Sequence, residues 1–225
     1  MGIAENIAKI KSEINENVKL VAVSKTKPVE DIMEAYDAGH KIFGENKAQE
    51  LAGKFEALPR DIEWHFIGHL QTNKVKYIAP FVSLIHGIDS LKLLKTINKE
   101  AKKKNRVIDC LLQFHIAEEE TKFGLDENEA DEILTSSGYK ELENVRITGV
   151  MGMATYTTDT EQIRSEFRHL KNIFETLKEK YFGTDESFKE ISMGMSGDYK
   201  IAVEEGSTIV RIGSAIFGAR NYTNK

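Results

Sequence analysis

Short β-branched apolar runs alternate along this chain with longer segments in which apolar residues recur every three or four positions. Isoleucines at positions 3, 7, 10 and 14, with lysine and glutamate between them, predict an amphipathic leading helix. The period then changes, and short continuous apolar runs predict strands. Eight strands are predicted, over residues 19–24, 41–44, 63–68, 83–88, 106–113, 145–151, 188–193 and 207–212.

Helical segments are predicted in the intervals between these strands. The first follows Pro28, which suits an opening helical turn, and ends at Gly39. The others cover residues 48–55, 72–78, 91–103, 127–135, 160–180 and 198–204. Because a helix commonly supplies the crossover between parallel strands, this alternation predicts an α/β protein with a parallel sheet.

The number of units favours a closed architecture. Eight strand–helix units without a linker fit a single (β/α)8 TIM barrel with an extra N-terminal helix, a fold whose typical length is roughly 250 residues. We therefore expect residues 1–225 to form one domain. A doubly wound open sheet is the main alternative.

Composition restricts the class of protein further. Hydrophobic residues make up 40% of the chain and charged residues 30%, as in ordinary globular proteins. Thirty-one Lys and Arg against 36 Asp and Glu leave a formal net charge of −5, which argues against nucleic acid as a partner. The single cysteine, Cys110, cannot form an internal disulfide and fits a reducing compartment. With no secretory signal and no apolar run of eighteen residues, we expect a cytoplasmic protein without a membrane segment.

The first strand ends in an unusual lysine. Val21, Val23 and Lys25 alternate on one face, and the chemistry of such barrels lies at the carboxyl ends of the strands. Burial in a barrel mouth, with Lys27 nearby, would favour the neutral amine that attacks a carbonyl, which makes Lys25 a candidate Schiff-base lysine. The alternative is that the strand ends one residue early and Lys25 extends into solvent.

Glycine- and hydroxyl-rich turns follow the last two strands, where many barrels bind phosphate. The first contains Ser196, and the second continues from Arg211 through Gly213 to Ser214. Backbone N–H groups in such turns are natural phosphate donors, although capping of the next helix by Ser196 is the simpler alternative. Asn46, after the second strand, is either a ligand-binding amide or a helix cap.

Other polar residues near strand ends are less informative. His65 and His69 are four residues apart but lack the glutamate of a zinc-binding helix, so no metal site is expected. Lys27, Lys74 and Lys122 have only their charge to suggest a part in binding or releasing a ligand.

Five segments together resemble a known family. They are AVSKTKP (22–28), FGEN (43–46), HFIGHLQ (65–71), MGMS (193–196) and RIGS through FGAR (211–220). Their order and spacing over nearly the whole chain resemble the pyridoxal phosphate homeostasis proteins, called YggS in bacteria and PROSC in animals. The resemblance implies a barrel of the alanine racemase N-terminal domain type that holds pyridoxal 5'-phosphate as a Schiff base.

The resemblance also implies roles for individual residues. Lys25 takes the Schiff-base position, Ser196, Gly213 and Ser214 fall where the family holds the phosphate, and Arg211 falls where a side chain faces the pyridine nitrogen. We include Asn46 with them as a cofactor-binding residue.

The implied function is intracellular pyridoxal phosphate (vitamin B6) homeostasis, by a carrier and not an enzyme. Arginine can donate to the ring nitrogen but cannot accept its proton, which leaves the ring a weak electron sink. Related racemases carry a second domain, and because only a few residues follow the eighth predicted strand we expect none here. We expect a monomer whose partners are pyridoxal phosphate and, beyond it, apo-enzymes that use this cofactor. A pyridoxal phosphate-dependent amino-acid racemase is the alternative, and a class I aldolase-like barrel is a weaker one.

Overall fold

The chain folds as a closed parallel barrel. A computed structural model describes residues 2–119 and 123–218. Within these ranges eight strands pair in chain order, and the last pairs with the first. They are β1 (Lys19–Val23), β2 (Ile42–Glu45), β3 (Glu63–Phe66), β4 (Leu84–Ile88), β5 (Ile108–Gln113), β6 (Val145–Met151), β7 (Glu190–Ser192) and β8 (Ile209–Ile212). The predicted barrel is confirmed, and the open sheet is wrong.

Helices surround the barrel and precede it, as the periodicity predicted. They are α1 (Ile3–Glu13), α2 (Val29–Asp37), α3 (Ala48–Ala57), α4 (Val75–Ile78), α5 (Leu91–Lys102), α6 (Glu127–Thr135), α7 (Ser137–Lys140), α8 (Thr160–Leu177), α9 (Tyr199–Glu204) and α10 (Ser214–Phe217). A 3-10 turn, Thr72–Lys74, forms the first part of the predicted helix 72–78. The predictions missed α7 and α10 because four residues are too few to establish a helical period.

Residues on opposite faces of β1 enter two separate cores. Leu20 and Ala22 of β1 pack outward among the helices, in the large core between helices and barrel. Val21, on the other face, packs inside the barrel against Leu84, Leu111, Met151 and Ile209. Both faces of a parallel barrel strand are therefore buried, which explains why β1 reads as a continuous apolar run.

Glycine is required where two strands of the barrel approach closely. Gly149 of β6 has a φ of +156°, and a Cβ atom there would lie 1.8 Å from the carbonyl oxygen of Glu190 in β7. Its position coincides with a shift of register between β5 and β6. No side chain can occupy this position without separating the strands.

Within the ranges described, none of the helices combines the length and the apolar character needed to cross a bilayer.

Candidate functional site

A cavity of about 710 Å³ opens at the carboxyl ends of the strands. Such a position is where barrels of this kind bind their ligands, and the volume is typical of a small-molecule site. The cavity is lined by all six residues predicted from the sequence, which are Lys25, Asn46, Ser196, Arg211, Gly213 and Ser214. Residues from the first, second, seventh and eighth units of the barrel therefore meet in one place.

Lys25 reaches the cavity from the turn after β1. The strand ends at Val23, one residue earlier than predicted, yet Val23 and Lys25 both line the cavity. The side chain of Lys25 is half-buried, which disagrees with the alternative in which it extends into solvent. Thr26, the next residue, has a φ of 64°, and its backbone N–H donates to Glu50 at 2.7 Å. The turn that presents Lys25 is therefore held in place by α3.

A buried ion pair that no sequence motif indicates lies beside this turn. The Lys54 ammonium donates to the Glu45 carboxylate at 2.7 Å and to the backbone carbonyl of Ser24 at 2.8 Å. The Ser24 hydroxyl donates to the same carboxylate at 2.6 Å. Burial raises the pKa of Glu45, while Lys54 and Ser24 oppose that increase. A glutamate that ends an apolar strand was the available signal, but its partner nine residues away could not be chosen without the structure.

The two polar turns converge, as expected for adjacent strands. The Ser196 hydroxyl accepts hydrogen bonds from the backbone N–H groups of Gly213 at 3.3 Å and Ala215 at 3.4 Å. Ser196 does not cap α9, because Asp198 occupies that position. The helix-cap interpretation of Ser196 is therefore wrong.

Lys27 anchors the second of these turns. Its ammonium donates to the backbone carbonyl of Phe217 at 2.7 Å, at the end of α10. The residue also lines the cavity. Lys27 therefore joins the turn after β1 to the segment after β8.

Asn46 contributes a buried polar atom to the cavity wall. Its Oδ1 atom is buried and has no hydrogen-bond partner within the structure described. Lys47, and not Asn46, is the N-cap residue of α3, and that cap has no side-chain hydrogen bond. The helix-cap interpretation of Asn46 is therefore wrong as well.

Arg211 brings a buried positive charge to the cavity. The residue is 4% exposed, and its guanidinium donates to Ser192 Oγ at 2.6 Å and to the carbonyl of Gly152 at 3.1 Å. Burial lowers the pKa of Arg211 to about 10, so the side chain stays protonated at neutral pH. Ser192 did not emerge from the sequence, because an isolated serine in an apolar strand has no distinctive pattern.

The remaining candidates lie elsewhere. His69 stacks on the Phe123 ring at 4.5 Å and lies 3.2 Å from Asp89, while His65 lies inside the barrel. Within the portion of the chain that can be described, no cluster of His, Cys, Asp and Glu could hold a metal ion. Lys74 is not part of the cavity wall, and Lys122 lies outside the described residues, as do positions 219 and 220 of the last resembling segment.

Comparison with known proteins assigns the family. The family model described as "Alanine racemase, N-terminal domain" matches residues 2–221. The chain belongs to this family.

Among curated relatives, the pyridoxal phosphate homeostasis protein of Aquifex aeolicus is 44% identical over 205 residues, which cover 91% of this chain and 88% of that protein. The protein of the same name from Vibrio alginolyticus is 38% identical, covering 98% and 99%. The structure of PipY from Synechococcus elongatus PCC7942 with pyridoxal phosphate (PLP) bound superposes with a TM-score of 0.85 at 32% identity, covering 96% of this chain and all of that one. Within its family, the chain therefore belongs with the pyridoxal phosphate homeostasis proteins.

Proposed function

We propose that this protein binds pyridoxal 5'-phosphate in the cavity at the carboxyl ends of the strands and acts in cellular pyridoxal phosphate homeostasis as a carrier. The observation that supports this most is the convergence of Lys25 with the two hydroxyl-rich turns on one cavity. PipY, a structural relative, has the same cofactor bound. The curated relatives are named as homeostasis proteins and not as enzymes.

The polar groups of the cavity match the chemistry of this cofactor. Pyridoxal phosphate has an aldehyde, a phosphate dianion and a ring nitrogen, and the cavity offers an amine, a serine hydroxyl with two convergent backbone N–H groups, and a guanidinium. The N–H groups of Gly213 and Ala215 make only long hydrogen bonds to Ser196, so a phosphate oxygen would be a stronger acceptor for them. The unpartnered Oδ1 of Asn46 is a further polar atom that a ligand would satisfy.

We assign one role to each group. Lys25 supplies the amine that holds the aldehyde carbon covalently, and Ser196, Gly213 and Ser214 bind the phosphate. Arg211 faces the ring nitrogen, and Asn46 orients the ring. When bound, the cofactor supplies an electrophilic aldehyde carbon and a conjugated ring.

The character of Arg211 supports a carrier. A guanidinium donates hydrogen bonds but cannot accept one, so it favours a ring nitrogen that carries no proton. A ring with an unprotonated nitrogen is a weak electron sink. Reversible covalent binding through Lys25 protects a reactive aldehyde without activating the bonds of an amino acid. We further propose that the protein is cytoplasmic and monomeric, that residues 1–225 form one domain, and that apo-enzymes requiring the cofactor receive it.

The experiment combines absorption spectroscopy with peptide mapping. Purified protein is mixed with pyridoxal phosphate, the visible band is recorded, and the adduct is fixed with borohydride and located by mass spectrometry. We expect the label on Lys25 and its loss in Lys25→Ala, while circular dichroism stays unchanged. Lys74→Ala, which removes a lysine outside the cavity, is the matched control and should keep the band. A label spread over surface lysines would contradict the assignment.

A second assay separates carrier from enzyme. Protein loaded with pyridoxal phosphate is mixed with an apo-enzyme that needs this cofactor, and the enzyme's recovery of activity is followed. In parallel, amino acids are incubated with the loaded protein in deuterium oxide. Transfer of cofactor without deuterium at the α carbon is expected of a carrier. Deuterium incorporation that depends on Lys25 would indicate a racemase instead.

A further inference from the structure

A line of hydrogen-bonded side chains crosses the interior of the barrel and ends at Arg211. Glu63 Oε1 lies 3.0 Å from His65 Nε2, and His65 Nδ1 lies 3.0 Å from His86 Nε2. His86 Nδ1 lies 2.9 Å from Ser192 Oγ, which accepts from Arg211 at 2.6 Å. The line therefore joins the amino end of β3 to the cavity through β4, β7 and β8.

Four members of this line are withdrawn from solvent. His65, His86 and Ser192 are at most 1% exposed and Arg211 is 4% exposed. The Glu63 side chain, in contrast, is 46% exposed. Polar groups buried this deeply are costly unless each is hydrogen-bonded. In the line each buried group donates a hydrogen bond to the next one, and the last acceptor is the solvent-exposed carboxylate of Glu63.

The two ends of the line, a guanidinium that only donates and a carboxylate that only accepts, together restrict the direction of its bonds. A guanidinium can only donate, so Ser192 Oγ accepts from Arg211 and its own proton is available to His86 Nδ1. His86 then carries its proton on Nε2 and donates it to His65 Nδ1. A carboxylate can only accept, so the proton on His65 Nε2 goes to Glu63.

The opposite direction is unfavourable at the carboxylate end of the line. If His86 donated from Nδ1 to Ser192, its Nε2 atom would need a proton from His65 Nδ1. His65 would then need a second proton on Nε2 to bond Glu63, which makes it a buried cation. Burial holds the pKa of His86 well below its usual range, and the nearby positive charges of Arg211 and Lys19 act in the same direction. A neutral His86 with one proton on Nε2 is consistent with that environment.

We propose that Ser192, His86 and His65 are positioning residues that hold the Arg211 guanidinium at the cavity by a one-directional line of hydrogen bonds ending on Glu63. None of the three lines the cavity, so they act on a ligand only through Arg211. The consequence for pyridoxal phosphate rests on the proposed function. The direction of the line and the immobilisation of Arg211 do not, because both are properties of the ligand-free protein.

The line also compensates a buried charge. Arg211 donates to two uncharged oxygens, Ser192 Oγ and Gly152 O. With all bonds in one direction, each acceptor presents its negative end toward the guanidinium, and the last acceptor is an anion. Interrupting the line therefore removes a favourable field from Arg211 as well as a contact.

Nuclear magnetic resonance of the ligand-free protein tests the direction. In protein labelled with 15N at histidine, the chemical shifts of the ring nitrogens report which one carries the proton. We expect both His65 and His86 to carry the proton on Nε2. The signals that disappear in His65→Gln and in His86→Gln assign each histidine. A proton on Nδ1 of His86 would overturn the proposal.

The guanidinium of Arg211 tests the positioning in the same ligand-free protein. A guanidinium held by Ser192 rotates slowly, so its terminal nitrogens should give separate signals in wild type that merge in Ser192→Ala. Ser192→Thr, which keeps the hydroxyl, should restore the separation. His40→Gln, which removes a buried histidine outside the line, is the control and should leave Arg211 unchanged.

Binding of pyridoxal phosphate supplies the second readout. Loss of one hydrogen bond to a charged group corresponds to roughly a tenfold weaker affinity, so Ser192→Ala should bind about that much less tightly and its absorption band should shift. Folded Ser192→Ala with wild-type affinity, band and Arg211 signals would overturn the proposal. Failure of wild type to bind pyridoxal phosphate would overturn the proposed function alone. If Ser192→Ala does not fold, the tautomers of His65 and His86 in wild type and the Arg211 signals in His86→Gln replace it as the test. Merged Arg211 signals in His86→Gln would support the proposal, and signals as well separated as in wild type would overturn it.

Discussion

Removing the ammonium of Lys54 tests whether the buried ion pair beside Lys25 supports the barrel. In Lys54→Met, a side chain of similar length replaces the lysine but donates nothing. Glu45 then keeps only the hydrogen bond from the Ser24 hydroxyl, and the carbonyl of Ser24 keeps only the bond from the backbone N–H of Lys27. The carboxylate remains buried without its cation, which is the costly arrangement.

The expected loss is large because neither partner is solvated. The Lys54 side chain is 8% exposed and that of Glu45 is 0% exposed. Removing one member of a buried pair costs about 3–5 kcal/mol, which for a chain of this size corresponds to a decrease in Tm of roughly 6–20 °C. Replacing both members, in Lys54→Met with Glu45→Gln, should recover most of the loss, because the other carboxylate that Lys54 contacts, Glu50, is 24% exposed and remains partly solvated.

The loss should also depend on pH. Burial already raises the pKa of Glu45, and without Lys54 that pKa rises further. A carboxyl group whose pKa is higher in the folded than in the unfolded protein destabilises the fold above its folded pKa. That penalty disappears as the pH falls toward the unfolded value of about 4.3. The difference between Lys54→Met and wild type should therefore shrink between pH 7 and pH 5.

Urea denaturation followed by circular dichroism, at pH 7 and pH 5, measures both effects. The double variant serves as the control, since it has no carboxyl group at position 45 and should show a smaller pH dependence. A loss below about 1 kcal/mol at pH 7 would place the pair in the range of exposed salt bridges and refute the reasoning. An equal loss at both pH values would show that Glu45 is not the group responsible.

Three further predictions concern other parts of the fold. Gly149→Ala should destabilise the protein by roughly 3 kcal/mol, because its Cβ would lie 1.8 Å from the carbonyl oxygen of Glu190, and thermal denaturation measures the loss. Cys110 should react with iodoacetamide only after unfolding, because burial raises the pKa of its thiol and hides it; mass spectrometry in buffer and in urea makes the comparison. Burial lowers the pKa of His40 to about 4, so between pH 6.5 and pH 4 the unfolded chain binds a proton that the fold does not. As the pH is lowered through this interval, the free energy of unfolding should fall by up to about 1.4 kcal/mol per pH unit. His40→Gln should reduce that slope, which urea titrations at several pH values measure.

Local patterns in the sequence predicted the alternation of strands and helices, and the number of units favoured a closed barrel over an open sheet. A period of two residues identifies strands, a period near 3.6 identifies helices, and their alternation leaves few topologies. The same reasoning predicted that Val21, Val23 and Lys25 share a face, and all three point inward, Val21 into the barrel core and the other two onto the cavity. The hydroxyl-rich turns after the last two strands were also predicted, because neighbouring parallel strands end at the same side of a sheet.

Contacts between distant segments could not be predicted from the sequence. Glu45 and Lys54 look like an ordinary strand-end glutamate and a surface lysine until α3 packs on β2 and on the turn after β1. His86 and Ser192 are 106 positions apart, and only closure of the barrel brings them within hydrogen-bond distance.

The difference between the features that the sequence predicts and the contacts that it does not has a physical cause. The alternation of strands and helices, the inward face of β1 and the polar turns follow from backbone geometry and the burial of apolar side chains, which act over a few residues. Which interior side chains meet depends on the stagger between strands around the closed barrel, a property of all eight strands together. The sequence by itself therefore determined where Lys25 and the polar turns would lie. Only the tertiary structure decided which buried groups hold Lys25 and Arg211 in place.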